Sequence, residues 1–193
     1  SHEGNMLTMQ TIMVRTITIL ATAAFLLLWA GCGSQEKAVK APSDQDDQAA
    51  LGFYLQGSLY DQQGDYAKAI LEYQKALRLK KDGAVYFAMA KDYALLGDGQ
   101  LAIENGEAAV RLDPANRTYH ETLAQIYFAA GDAEKAIAEY REVVRVDSSY
   151  REGWISLGRL LQVQKPQEAL GIYDAMRERF GPSGDILFQM AQI

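Results

Sequence analysis

One phrase recurs three times along this chain: Gly64-Asp65 followed by Ala69, Gly97-Asp98 followed by Ala102, and Gly131-Asp132 followed by Ala136. The glycines lie 33 and 34 residues apart, and a further alanine, Ala169, falls 33 beyond Ala136. Each of the three copies sits between two apolar-periodic stretches. A period of this length accommodates a pair of helices, so the phrase predicts an all-α array of stacked antiparallel hairpins, an α-solenoid. No hairpin of this kind buries its apolar stripe alone. Stacking does so, and neighbouring hairpins stabilise one another nearly one-dimensionally.

Aligned on the glycines and alanines, the hairpins span residues 50–82, 83–116, 117–150 and 151–182. Gly57, Ala90, Ala124 and Gly158 are small where two helices must approach, and aromatic residues three or four positions away fill the gaps between hairpins. Gly64, Gly97 and Gly131 suit the left-handed conformation that ends a first helix, and the Asp after each suits the cap of the second. The fourth hairpin carries Trp154-Ile155-Ser156-Leu157-Gly158, a W-x2-L-G sequence. Ala69 with Tyr73, Ala136 with Tyr140 and Ala169 with Tyr173 keep an A-x3-aromatic spacing, and Pro114 closes the second hairpin. On these residues the stretch 50–182 resembles the tetratricopeptide repeats. Gly106 departs by standing where an aromatic is expected. With Gly99 it lowers the helix propensity of that segment and marks the expected weak link. Gln164 replaces the turn glycine of the fourth repeat, and the spacing from Gly158 to Ala169 is one residue short, which leaves the register there open.

Before the repeats, residues 17–30 (ITILATAAFLLLWA) form an uncharged apolar run preceded by Arg15 and followed by Cys32, the layout of an export signal. As a helix the run reaches only about 21 Å, against a hydrocarbon core of about 30 Å. Ala30-Gly31-Cys32 resembles the lipobox of bacterial lipoproteins, with Leu28 displaced by Trp29 from the usual place. That resemblance implies cleavage after residue 31, lipidation (palmitate) of Cys32 and attachment to a membrane. An uncleaved anchor, or a plain signal peptide with an incidental cysteine, are the alternatives. Residue 1 is Ser, so translation is expected to start at Met6, Met9 or Met13, with an upstream extension before it. Residues 32–49 are polar, hold Pro42, and read as a lipidated cysteine on a flexible tether. At the other end, residues 183–193 read as the start of a further repeat or a capping helix, with Leu187, Met190 and Ala191 at the packing spacing. The chain is expected to continue in a longer protein.

Composition narrows the function. With 193 residues and a formal charge of -6, and with no dense Lys/Arg run, the footprint of a nucleic-acid binder is missing. A single cysteine and two histidines supply no metal-ligand set, and no cofactor motif is present. No nucleophile–base constellation can be assembled either, so the chain reads as a non-enzyme. His120 reads as a packing or surface residue, and the tyrosines of the repeats as packing between helices.

Resemblance to tetratricopeptide arrays implies a concave groove lined by first helices. Its positions map onto Tyr54, Ser58 and Asp61, then Phe87, Lys91 and Leu95, then Glu121, Gln125 and Phe128, then Ile155, Arg159 and Gln162. This mixture suits a peptide or helix of a partner protein, held by apolar anchors with a polar rim. The basic clamp with which some members hold a C-terminal carboxylate is not reproduced, since Lys91 and Arg159 lie in different repeats without the Asn partner. The expected protein is a scaffold of the bacterial cell envelope, lipid-anchored to the outer or inner membrane through Cys32 and facing the periplasm. It resembles pilotin-like lipoproteins and factors of outer-membrane assembly. Two other readings stand beside it: the N-terminal repeat region of a longer enzyme or secretion component, and an array that oligomerises edge to edge.

Overall fold

The computed structural model describes residues 43–193; the stretch expected to be an export signal, Cys32 and the expected tether up to residue 42 lie outside them. Nine helices are found among the described residues: α1 (Asp44–Gln62), α2 (Tyr66–Leu79), α3 (Gly83–Leu95), α4 (Gly99–Leu112), α5 (Arg117–Ala129), α6 (Ala133–Val146), α7 (Arg151–Gln164), α8 (Pro166–Phe180) and α9 (Gly184–Ala191). The helices pair as α1–α2, α3–α4, α5–α6 and α7–α8, each hairpin stacks on the next, and α9 closes against α8. First helices also touch in succession, α1 with α3 and α3 with α5.

The turns explain the repeated phrase. Gly64, Gly97 and Gly131 adopt φ of 76°, 81° and 83°, a region that costs glycine nothing. The Asp after each closes a Schellman turn, its amide donating to the carbonyl of Tyr60, Tyr93 or Tyr127 at 2.9 Å. Its side chain then caps the second helix, accepting from the amide of Lys68, Leu101 or Lys135. In the fourth hairpin α7 runs on to Gln164, and Lys165 alone separates it from α8, whose first residue is Pro166. Proline needs no amide partner there and presets the helical φ. The register left open by Gln164 closes with Ala169 fully buried like Ala69, Ala102 and Ala136.

The close approaches are real, but the ring at each comes from the partner helix. A Cβ on Gly57 would lie 2.5 Å from the Tyr73 ring, and one on Gly158 would lie 2.7 Å from Tyr173. The aromatic missing at Gly106 is replaced from the next repeat by Leu123, which would sit 2.9 Å from an added Cβ.

One boundary and one packing face differ from expectation. The first helix starts at Asp44 rather than at residue 50, so residues 44–49 are helical and not tether. A capping box is responsible: the Ser43 hydroxyl accepts from the Asp46 amide, and the Asp46 carboxylate accepts from the Ser43 amide at 3.0 Å. In α9 the side chains that pack inward are Ile186 and Met190, while Leu187 and Ala191 are exposed.

Buried apolar side chains form three separate clusters. One joins α2 and α3 through Tyr73, Leu77, Val85 and Met89. A small one holds Ala90, Ala102 and Ile126. The largest runs from Leu123 through Ile137, Leu157 and Tyr173 to Ile186. No helix among the described residues is long and apolar enough to cross a membrane.

Candidate functional site

None of the twelve side chains expected on the groove wall is buried. Their engagements differ. Glu121 is held by Arg117 at 3.5 Å and by the Tyr150 hydroxyl at 2.9 Å, and the guanidinium carbon of Arg117 lies 3.8 Å from the centre of the Tyr150 ring. Phe87 stacks on Tyr119 of α5 with ring centroids 5.1 Å apart, and the Lys91 ammonium lies 5.7 Å from the Phe87 centroid. Tyr54 tilts against Tyr73 at 5.8 Å. Gln162 accepts from the Tyr173 hydroxyl at 3.4 Å, and Leu95 is exposed. Ser58 and Gln125 hydrogen-bond the hydroxyls of Tyr73 and Tyr140 from the first helices.

Two expected positions, Phe128 and Arg159, meet in one cavity of about 370 Å3, lined also by Tyr140, Ser156, Leu160, Val163 and Gln164. Phe128 is 60% exposed and Val163 79% exposed, so the mouth of the cavity is apolar on both sides. Arg159 stands beside it without a carboxylate partner among the described residues. Arg159 and Ile155 also border a smaller cavity of about 110 Å3 against α8 and α9. A third, of about 420 Å3, lies at the start of the array between α1, α2 and α3, lined by Leu51, Tyr54, Ala76 and Val85.

Sequence reasoning missed Tyr140, Leu160 and Val163 as lining residues. It also missed Asp92, which is 0% exposed, with no donor reaching either carboxyl oxygen. Burial pushes its carboxyl up to about 7, and the neighbouring Asp61 charge adds to the effect. Repeat register alone would have flagged it, because the equivalent positions one and two repeats on are Ile126 and Leu160.

His120 is buried, with Nδ1 2.7 Å from Glu139 and Nε2 3.1 Å from the carbonyl of Pro114. Both neighbours are acceptors, so the ring pins the α4–α5 connection to α6 and is a packing residue. Burial raises the hydroxyls of Tyr73, Tyr127 and Tyr140 above the ordinary tyrosine range, as fits aromatic rings in interhelical packing. No group of three or more potential metal-ligating side chains gathers among the described residues.

Two models of the tetratricopeptide repeat match the chain, one over residues 50–82 and one over residues 87–151, together about half of its length. The chain belongs to the tetratricopeptide-repeat family. It is 30% identical over 109 residues to the small glutamine-rich tetratricopeptide repeat-containing protein 2 of Mycosarcoma maydis, covering 56% of this chain and 31% of that one. It therefore spans about a third of that relative's length. Among solved structures, a tetratricopeptide repeat protein from Parabacteroides merdae superposes with a TM-score of 0.65 at 21% identity, covering 75% of this chain and 58% of that one. The first such domain of Spaghetti (RPAP3), solved with the HSP90 peptide SRMEEVD, gives 0.58 at 24% identity, covering 61% and 94%. Both likenesses concern the fold.

Proposed function

We propose that this tetratricopeptide-repeat chain is a non-catalytic scaffold whose first-helix wall takes up a peptide or helix of a partner protein. The observation that carries the reading is the cavity between the third and fourth repeats. A partner's large apolar side chain fits between Phe128 and Val163, with Arg159 placed to meet an acidic group or carbonyl beside it. Two aromatic or aliphatic side chains held in water at the mouth of a cavity are a poor arrangement for the free chain and a good one for a complex. The Spaghetti (RPAP3) domain, of the same repeat fold, was solved with a peptide. On the strength of the segment from residue 17 to Cys32, the proposal extends to an exported lipoprotein of the bacterial envelope, anchored through Cys32, facing the periplasm and serving an assembly such as pilus or outer-membrane biogenesis.

Crosslinking and pull-down from intact envelopes, comparing the native chain with Phe128→Glu/Val163→Glu, tests the groove. The expected result is loss of the captured partner with an unchanged melting curve, since both side chains are exposed. Equal capture would overturn it. Cys32→Ser is expected to abolish palmitate labelling and to release the chain from the membrane fraction; undiminished labelling would remove the lipoprotein part and leave the groove untouched.

A further inference from the structure

The cavity that anchors the proposed partner has a counterpart two repeats earlier with opposite chemistry. Between the third and fourth repeats the wall presents Phe128 from one first helix, Leu160 and Arg159 from the next, and Tyr140 beneath. In repeat register the same places between the first and second repeats hold Asp61, Asp92, Lys91 and Tyr73. An apolar pair has been exchanged for a pair of carboxyls, while the neighbouring cation and the underlying tyrosine are kept. The intermediate place, Ala94 with Ile126, is apolar.

Asp92 is fully buried, and apart from a proton shared with Asp61 no donor from the protein reaches it. A carboxylate left in this state is costly, since desolvation without a partner opposes its charge. The groups that face it are Asp61 from α1, Tyr73 from α2 and Lys91 from its own helix. Lys91 is drawn over the Phe87 ring. A hydrogen bond between Asp61 and Asp92 exists only while a proton sits between them. Asp61 is the half-exposed member, on the groove wall. The arrangement is a carboxyl pair that reaches the surface through Asp61, with a proton standing in for the cation.

We infer that the Asp61–Asp92 pair is the seat for a basic side chain, Lys or Arg, of the segment whose apolar side chain enters the Phe128–Leu160 cavity. The inference rests on the groove reading above and adds the partner's chemistry: a positive charge at the first repeat boundary and a large apolar group at the third. The arriving ammonium or guanidinium replaces the shared proton, which leaves to water. Binding is thereby coupled to proton release and strengthens as pH rises through neutrality. Above the range in which Asp92 loses its proton the pair is ready for the cation; at pH 5.5 the cation must displace a proton held by two carboxyls.

The test is selection of a phage-displayed random dodecapeptide library on the full-length chain at pH 8, in parallel with Asp61→Asn/Asp92→Asn and with Phe128→Glu. Native protein is expected to enrich peptides with a Lys or Arg at one fixed spacing from a large apolar residue. The double Asn variant is expected to keep the apolar residue and lose the base. A synthetic consensus peptide should lose about tenfold in affinity on Lys→Gln at pH 8 and less than about twofold at pH 5.5. Asp61→Asn alone, at a half-exposed site, supplies the same comparison if the double variant fails to fold. Peptides without a fixed base, or a base retained by both Asn variants, would overturn the inference while leaving the groove reading intact. A fixed base lost with the Asn variants, in peptides indifferent to Phe128→Glu, would uphold the acid pair and overturn the apolar anchor. No enrichment at all would overturn both.

Discussion

A carboxyl at an interface position has consequences for stability as well as for binding. Where Asp92 stands, Ile126 and Leu160 are 6% and 8% exposed, and Leu59, with no hairpin before it among the described residues, is 47% exposed. The position is therefore apolar wherever a preceding hairpin covers it, except at Asp92. In the unfolded chain Asp92 releases its proton near the ordinary value of 3.8, and in the folded chain near 7. Between those values the folded state holds more protons than the unfolded one, so stability is lost as pH rises from about 4 to about 7. Asp92→Leu is expected to remove this slope and to stabilise the fold by about 1–3 kcal/mol at pH 8. Melting curves of both proteins at pH 5 and pH 8 check it. A variant that melts lower at pH 8, or keeps the native slope, would show that Asp92 is satisfied in its place.

Within the helices, glycines of the same type have opposite roles. Gly158 lies under the Tyr173 ring, so Gly158→Ala should cost about 1–3 kcal/mol through overpacking. Gly171 lies in the middle of α8 with nothing within 4 Å of an added Cβ, so Gly171→Ala should gain about 0.5–1 kcal/mol from helix propensity. Denaturant titrations of the two variants should move in opposite directions. Ala102, fully buried in α4, should respond to Ala102→Leu with a loss of about 1–3 kcal/mol, seen as a lower melting temperature. The turns and caps at Gly64-Asp65, Gly97-Asp98 and Gly131-Asp132 were legible in the sequence because each is decided within a few residues. The start of α1 was equally local, but its signal, Ser43 with Asp46, lay inside a stretch whose composition reads as tether. The lining of the Phe128 cavity was only half legible. Periodicity places first-helix residues on the wall, whereas Tyr140 arrives from a second helix and depends on how hairpins stack. In α9 spacing alone did not decide which apolar residues face inward, because Ile186 and Leu187 are adjacent and only the packing against α8 selects between them.

Across the whole stack, stability should be uneven. The cluster from Leu123 to Ile186 ties α5 through α9 into one body, while the junction at the second repeat buries Ala90, Ala102 and Ile126, with partly buried Tyr93 and Ile103 packed against them and Asp92 close by. Native-state hydrogen exchange is therefore expected to show α6–α8 opening at the highest free energy and α1–α3 opening well below it. Uniform protection over all helices would show that the small middle cluster couples the two ends fully. Three separate clusters also set the mechanical response of the molecule. Pulled from its two ends, the stack would not yield at once: the helices before the small middle cluster would come away before the others, lengthening the chain by up to about 120 Å as residues 44–79 straighten. The body around Tyr173 would still be folded, so the Phe128–Val163 cavity would keep its shape under a load that had already separated Asp61 from Asp92.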